Sequence, residues 1–173
     1  VDWAVCWPDD QEGLIKSYCN TIPTSEGGTH ENSFKTSLVK AIKSYGELAG
    51  LKKINSITTD DLVGGACIIL SVFLEEPQFQ GQTKEKLSSQ SAIKLVESII
   101  KDNFEHWLSA DKLAANKIID MTIERSEVRK RRKQDKDLTR KSLTKKIRLP
   151  GKLSDCTNSI ARGTEIFLVE GDS

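Results

Sequence analysis

The chain has 173 residues, of which 37% are hydrophobic and 29% are charged, with a net charge of +1. This composition is typical of a water-soluble globular protein. The sequence contains no run of roughly 18 consecutive apolar residues, so we expect no membrane-spanning helix. The four cysteines, Cys6, Cys19, Cys67 and Cys156, are too widely spaced for a zinc site, and we expect them to be reduced. The chain opens with neither an initiator Met nor a signal peptide, so we expect a piece of a longer protein.

Basic residues are concentrated towards the end of the chain. Residues 125–148 carry twelve Lys or Arg and three acids, a net charge of +9, whereas the remaining residues carry 14 basic and 22 acidic groups, a net of −8. Such a block favours a polyanionic partner, and the scarcity of aromatic residues within it favours phosphate contact over base stacking. The alternative is a solvated helix face. The residues expected to contact nucleic acid are Arg129, Lys130, Arg131, Arg132, Lys133, Lys145, Lys146, Arg148 and Lys152.

The first half of the chain reads as two strands and a helix. Alternating residues predict strands over 3–7 and 14–22, and the turn residues between them predict a hairpin. Gly27 and Gly28 predict a sharp turn, after which Thr29 is a candidate N-cap for a helix that ends near Ala49. The amides at this helix start could bind an anion, although a structural turn containing His30 is the simpler interpretation.

The second half alternates buried and amphipathic segments. An acidic helix start at 58–61 precedes a buried strand over 66–74. An apolar stripe predicts a helix over 92–108, with Ser88 or Ser89 as its cap, and Ser109 is a candidate cap for a further helix that becomes basic. Residues 148–152 break the pattern, and 165–169 predict another buried strand. This order predicts an α+β domain followed by the first strand of a second domain.

A polar loop over residues 77–86 joins the buried strand to the helix after it. Gln82 and Lys84 lie two residues apart, beside Gly81. A Lys ammonium binds phosphate as a point charge, and a Gln amide can orient a phosphate oxygen or a water. The loop lacks P-loop spacing, so it would be an accessory contact to a nucleotide held elsewhere. An ordinary connection with solvated lysines is the alternative.

Two acidic residues follow the last predicted strand. Glu170 lies at its end, and Asp172 is two residues further on. A carboxylate there could begin a Mg²⁺ site or act as a general acid or base. The remaining ligands of such a site would lie beyond Ser173.

Four segments, read in order, resemble one protein family. They are Ser17–His30, Pro77–Lys84, Leu149–Cys156 and Leu168–Ser173. Together they resemble the ATPase subunit of bacterial type IIA DNA topoisomerases, and the first segment is more similar to the topoisomerase IV branch than to the gyrase branch. The resemblance covers essentially the whole chain, and four ordered segments are far more specific than one.

The resemblance implies a domain organisation. Residues 1–136 would be the transducer domain, a small β-sheet packed by helices that ends in a long basic helix. Residues 137–164 would be a basic linker with a loop near the DNA gate, and residues 165–173 would begin an α/β Toprim domain. The ATP-binding domain would precede Val1 and the paired Toprim aspartates would follow Ser173, so we expect this piece alone to be inactive.

The resemblance also implies a function, cofactors and partners. Gln82 and Lys84 would reach the γ-phosphate of ATP, and Glu170 would act as general acid/base and as a Mg²⁺ ligand. The protein would couple ATP turnover to the passage of double-stranded DNA, in a bacterial cytoplasmic heterotetramer with the topoisomerase A subunit and a second copy of the B subunit. The alternative is a non-catalytic nucleic-acid-binding module that acts through its basic helix.

Overall fold

The computed structural model describes residues 1–8, 13–146 and 162–166, with the side chains of its last helix described as far as residue 139. The chain divides into two units, Val1–Arg131 and Arg132–Ser173. The strands are β1 (Asp2–Cys6), β2 (Leu14–Cys19), β3 (Ile22–Pro23), β4 (Cys67–Val72), β5 (Phe79–Gln80) and β6 (Lys86–Leu87). The helices are α1 (Thr29–Leu48), α2 (Thr59–Val63), α3 (Ser91–Ala110) and α4 (Lys112–Lys146), with a 3₁₀ helix at Lys52–Ser56. The predicted α+β class, with a small sheet, packed helices and a long basic helix, is confirmed.

The main sheet has the strand order β1-β4-β2-β3. Strand β4 pairs antiparallel with β1, placing Trp3 opposite Leu70, and parallel with β2, placing Ile15 opposite Ile68. The predicted hairpin of the first two strands is therefore wrong, because β4 lies between them. Alternation specifies which side chains face the core, but it does not specify which strand is the neighbour.

The core of the first unit lies between one face of the sheet and helices α1 and α3. Its largest fully buried side chains include Phe34, Leu38 and Ile42 of α1, Ile100, Phe104 and Leu108 of α3, and Ile68 and Leu70 of β4. The Phe104 ring stacks on Trp107 with centroids 5.7 Å apart and on Trp7 at 6.4 Å, and it meets Trp3 edge-on at 6.3 Å. Full burial of one large apolar side chain contributes about 1.5–3 kcal/mol, so these helical stripes dominate the folding free energy.

The helix starts differ from those predicted in their capping residues. Helix α1 begins at Thr29 itself, and the Thr29 hydroxyl donates to the carbonyl of Ser89 at 2.8 Å instead of capping the helix. Helix α3 runs through Ser109, so the cap of α4 is Asp111, whose Oδ1 accepts from the amide of Ala114 at 3.0 Å. The Ser89 hydroxyl likewise accepts from the Gln78 amide at 2.7 Å. The Thr29 and Ser89 hydroxyls thus form hydrogen bonds between distant segments, which no local sequence pattern indicates.

The second unit is described only in part. Within it, residues 132–139 of α4 are exposed, residues 162–163 form a turn, and residues 164–166 have no regular secondary structure. Of the strand predicted over 165–169, Glu165 and Ile166 are not in a strand, and the other positions lie outside the described residues. Among the described residues, no helix is both long and apolar enough to cross a membrane.

Candidate functional site

The predicted polar loop is a β-hairpin. Strands β5 and β6 pair antiparallel, with Phe79 opposite Leu87 and Gln80 opposite Lys86, and residues 81–85 form the tip. Gly81 and Lys84 both lie in the left-handed region, with φ of 79° and 58°. Glycine adopts this conformation freely, but for a lysine it is uncommon and signals a constrained turn. The hairpin therefore holds the Lys84 backbone in one particular turn.

The two predicted phosphate contacts lie on the exposed tip of this hairpin. Gln82 and Lys84 are both exposed, and the Lys84 ammonium lies 6.0 Å from the centroid of the Phe79 ring. The neighbouring acid, Glu85, instead accepts a hydrogen bond from the Thr83 hydroxyl at 3.0 Å. Within the described part of the chain, no carboxylate forms an ion pair with Lys84. The tip thus offers an unneutralised cation and an amide to a ligand that approaches from solvent.

The base of the hairpin is held by residues 24–28, which we call the strap. The amide of Glu26 donates to the carbonyl of Glu85 at 2.9 Å, and the amide of Leu87 donates to the carbonyl of Gly27 at 3.0 Å. Gly28 forms a parallel bridge with Leu87. Sequence analysis anticipated a turn at these glycines but missed this pairing. Two adjacent glycines are also a signal for close backbone approach, and that signal could have indicated it.

The strap is in turn held by a buried polar cluster. The Thr24 hydroxyl donates to the Ser17 carbonyl at 2.8 Å, and the two hydroxyls lie 2.7 Å apart. His30 is fully buried, with its Nε2 atom 3.2 Å from the Thr24 hydroxyl oxygen. Glu31 accepts from the Ser17 hydroxyl at 3.0 Å and from the Lys35 ammonium at 2.6 Å. The Gly-Gly-Thr-His segment is thus part of a buried structural junction, in which the predicted turn is present but Thr29 does not cap the helix.

A surface cavity of about 600 Å³ lies near the base of the hairpin. It is lined by Phe73, Leu74, Glu75, Glu76, Gln78, Ser89, Gln90 and Ser91. Glu75 and Glu76 contribute negative charge, and none of the lining residues that the structure describes is basic. Such a surface repels phosphate, so this cavity does not suit a nucleotide. The exposed tip of the hairpin, with Gln82 and Lys84, does not line this cavity.

The predicted DNA-contacting residues fall into four groups. Lys130, Arg131, Arg132 and Lys133 are exposed, while Arg129 is half-buried and paired with Asp61. Lys145 and Lys146 lie in α4 beyond the described side chains, and Arg148 and Lys152 lie outside the described residues. The exposed cations offer the charge that phosphate contact needs.

The Arg129–Asp61 pair determines the electrostatics at this part of α4. Arg129 Nε donates to Asp61 Oδ1 at 2.8 Å and Nη2 donates to Oδ2 at 2.9 Å, and the Thr58 amide and hydroxyl each donate to Oδ2 at 2.8 Å. Burial by itself raises the pKa of the Asp61 carboxyl. The hydrogen bonds from Arg129 and Thr58 outweigh burial, and the pKa lies below its ordinary value.

The predicted metal ligand, Glu170, lies outside the described residues. Among the residues that are described, no group of three or more His, Cys, Asp or Glu side chains is arranged to hold a metal ion.

Comparison with family profiles shows to which known family this chain belongs. Residues 1–138 match the profile of the family described as DNA gyrase B. The chain belongs to the DNA gyrase B family. The predicted family is therefore confirmed.

Individual relatives of this DNA gyrase B family member carry a topoisomerase IV name. The B subunit of DNA topoisomerase 4 from Rickettsia prowazekii is 49% identical over 174 residues, and the match covers 100% of this chain and 26% of the relative. The Salmonella typhimurium protein of the same name is 41% identical over 175 residues, covering 100% of this chain and 28% of the relative. These similarities confirm the preference for the topoisomerase IV branch. The chain spans about a quarter of the length of these curated relatives.

Solved structures support the same relationship. The topoisomerase IV ATP-binding domain of Francisella tularensis, solved with a small-molecule inhibitor, matches 74% of this chain and 36% of its own, with a TM-score of 0.68 and 34% identity. The 43K ATPase domain of Thermus thermophilus gyrase B, solved with an aminocoumarin, matches 79% of this chain and 37% of its own, with a TM-score of 0.70 and 28% identity. The fold of this DNA gyrase B family member thus matches part of these ATPase-domain structures.

Proposed function

We propose that this chain is part of the B subunit of an ATP-dependent type II DNA topoisomerase, in which it couples ATP turnover to the passage of double-stranded DNA. Residues 1–136 form the transducer domain, 137–164 a basic linker and loop, and 165–173 the start of a Toprim domain. The protein works in the bacterial cytoplasm with a topoisomerase A subunit and a second copy of the B subunit, as a heterotetramer. Family membership favours this function over a stand-alone nucleic-acid-binding module.

The observation that carries the proposal is the display of Gln82 and Lys84 on the hairpin tip. Both side chains are exposed, and the Lys84 cation is unneutralised within the described residues. ATP bound in a preceding domain supplies the terminal phosphate anion. Lys84 contributes a positive charge to that anion and Gln82 an amide hydrogen bond, and charge-assisted contacts of this kind are the stronger ones. The hairpin then has different energies in different nucleotide states, as a ligand-dependent switch requires.

The basic residues are proposed to contact DNA phosphates. Lys130, Arg131, Arg132 and Lys133 have exposed side chains, and Lys145, Lys146, Arg148 and Lys152 extend the same charge along the sequence. For Arg129, whose guanidinium already binds Asp61, we propose the smallest share of DNA contact. Each cation that neutralises a phosphate steepens the salt dependence of binding, so the group is measurable as a salt slope.

Glu170 is proposed to act in DNA cleavage. A carboxylate at this point can exchange a proton with the reacting oxygen and can serve as one Mg²⁺ ligand. The reaction needs a nucleophilic tyrosine from the other subunit and further metal ligands from sequence that follows Ser173. The 173-residue chain alone is accordingly proposed to hydrolyse no ATP and to cleave no DNA, and clear activity of the purified chain in either assay would contradict this.

The decisive experiment replaces Lys84 with Ala in the full-length B subunit assembled with its A subunit. Loss of a charged hydrogen bond of about 1.5–3 kcal/mol corresponds to a fall of roughly 10- to 150-fold in kcat/KM for ATP. DNA affinity should stay within about twofold, because Lys84 does not belong to the basic block. Lys86→Ala, which removes the same charge from strand β6 of the same hairpin, is the matched control and should retain turnover.

The alternative, a nucleic-acid-binding module without catalytic function, predicts the opposite result for Lys84→Ala. It expects Lys84→Ala to be neutral and expects substitution of Lys130, Arg131, Arg132 and Lys133 to remove all function. Normal ATP turnover in the Lys84→Ala protein would therefore overturn the proposal.

A further inference from the structure

We infer that the strap and its buried histidine position Lys84, with Gly28 and His30 as the positioning residues. This inference rests on the proposed function of Lys84 and deepens it. The Gly-Gly-Thr-His segment has no direct role in that function, yet its backbone is bonded to the hairpin that carries Lys84.

The hairpin is fixed to the strap one residue away from Lys84. The Glu85 carbonyl accepts from the Glu26 amide at 2.9 Å, and the Leu87 amide donates to Gly27 at 3.0 Å. A two-residue ladder is too short to be stable alone, so these bonds supply support that the hairpin itself lacks. A movement of the strap is therefore passed directly to the turn that contains Lys84.

Gly28 sets how closely the two segments approach. A Cβ atom at Gly28 would lie 2.2 Å from the carbonyl oxygen of Leu87 and 2.6 Å from its amide nitrogen. Both neighbours are backbone atoms, so they yield only if β6 moves away from the strap. Gly28 also has a φ of 138°, which strains any residue with a side chain. An alanine at this position should thus displace the strand that follows Lys84.

His30 holds the other side of the strap through Thr24. The Thr24 hydroxyl donates towards Ser17, 2.8 Å from its carbonyl oxygen, and lies 3.2 Å from His30 Nε2, so we assign the neutral ring the tautomer that carries its proton on Nε2 and donates to Thr24. His30 Nδ1 is buried and has no hydrogen-bond partner among the described residues. Among the described residues, the hydrogen bonding of the ring is therefore directed to Thr24, the first residue of the strap.

The test uses the full-length B subunit assembled with its A subunit and measures kcat/KM for ATP together with the melting temperature. Gly28→Ala should lower kcat/KM about tenfold, the effect expected from displacing a contact group by roughly an ångström or less. Gly50→Ala is the matched control. Gly50 also has a left-handed φ, of 74°, but an added Cβ there meets nothing within 4 Å. This control carries left-handed backbone strain without the steric conflict, so it should melt at a lowered temperature and retain its turnover.

A double-mutant cycle separates positioning from general damage. If Gly28 acts through Lys84, adding Gly28→Ala to Lys84→Ala should lower kcat/KM by less than about twofold further. A loss that adds fully to that of Lys84→Ala would overturn the inference, as would Gly28→Ala turnover equal to that of Gly50→Ala. Normal turnover in Lys84→Ala alone would instead overturn the proposed function.

A second pair of variants tests His30 without the steric conflict. His30→Gln can still present an amide N–H to Thr24 and should keep kcat/KM within about threefold, whereas His30→Leu, which cannot, should lose about tenfold. Rescue by the amide is a result that a purely volume-filling role does not give. Equal turnover of the two variants would remove His30 from the inference.

Discussion

The Arg129 guanidinium clamps the Asp61 carboxylate from 68 residues away, with two parallel hydrogen bonds of 2.8 and 2.9 Å. The Asp61 side chain is only 3% exposed, whereas Arg129 is 40% exposed. The same guanidinium also donates to the Ser56 carbonyl at 3.2 Å. One basic residue of α4 therefore joins that helix to the 3₁₀ helix and α2, and its neighbours along the basic block remain exposed.

This pair predicts a large difference between two nearby arginines. Arg129→Ala leaves the buried Asp61 carboxylate without its cation, so we expect the free energy of unfolding at neutral pH to fall by clearly more than an ordinary surface substitution costs. Arg131→Ala removes the same side chain from the exposed face and should cost less than about 0.5 kcal/mol. Urea denaturation of the two variants measures the difference, and equal midpoints would contradict it.

Asp61 also predicts an acid-dependent loss of stability. Its folded pKa lies below the ordinary value of 3.8, so the unfolded state takes up the proton first as pH falls. The stability that the ionised Asp61 carboxylate contributes is fully present above the pKa of the unfolded state. It is lost as pH falls through the folded pKa, so the free energy of unfolding declines below about pH 4. Asp61→Asn should be less stable than the wild type at pH 7, and the gap should narrow towards about pH 3. A gap that widens on acidification would refute the assignment.

His30 predicts a second pH dependence at higher pH. Burial lowers the pKa of the His30 imidazole from its ordinary value of 6.5, and the Glu31 carboxylate offsets this only in part. The stability that depends on neutral His30 is present above about pH 6.5 and declines as pH falls towards the folded pKa. We expect His30→Gln to lack this decline when unfolding free energies are compared between about pH 7 and pH 5. If the unfolding free energies of the wild type and of His30→Gln changed in parallel with pH, the assignment of this decline to His30 would be wrong.

We expect Gly46→Ala to destabilise the protein, although alanine is the better helix former. Alanine is favoured over glycine inside a helix by about 1 kcal/mol. A Cβ at Gly46, however, would lie 2.6 Å from Cγ1 and 3.0 Å from Cβ of Ile54, which is fully buried. Overpacking of this kind costs about 1–3 kcal/mol, so we expect Gly46→Ala to be destabilising by up to about 2 kcal/mol overall. Thermal melting checks the sign, and a smaller loss from Gly46→Ala in an Ile54→Ala background than in the wild type would identify Ile54 as the cause.

Helix positions could be predicted from the sequence because the apolar residues of each helix recur on one face. The stripe that contains Val96, Ile100 and Phe104 predicts a helix over 92–108, and α3 occupies Ser91–Ala110. Burial of such a stripe dominates the local energetics, so the periodicity survives folding. The acidic start at Thr58–Asp61 is also confirmed, because its hydrogen bonds span only three residues.

Relationships between distant segments could not be predicted in the same way. Nothing in the alternation of residues 14–19 indicates that β4 lies between β1 and β2, since both arrangements bury the same side chains. The bond from the Thr29 hydroxyl to Ser89 spans 60 residues, and the clamp on Asp61 spans 68. The hairpin follows the same division, because the local sequence predicts a polar loop at residues 77–86, whereas the sequence analysis did not predict its pairing with the strap.

The central place of β4 has a consequence for the order in which the molecule folds. Asp2 pairs with Ser71, so β1 finds its partner strand 69 positions later. Helix α1 can form within its own 20 residues and β2 can pair locally with β3, but β1 pairs only with β4 among the described strands, and the other edge of β2 also needs β4. Non-local pairing of this kind slows folding, since the chain must close a long loop before any contact rewards it. During synthesis, the β1 segment therefore leaves the ribosome first, and it can pair with β4 only after β4 has left the ribosome as well.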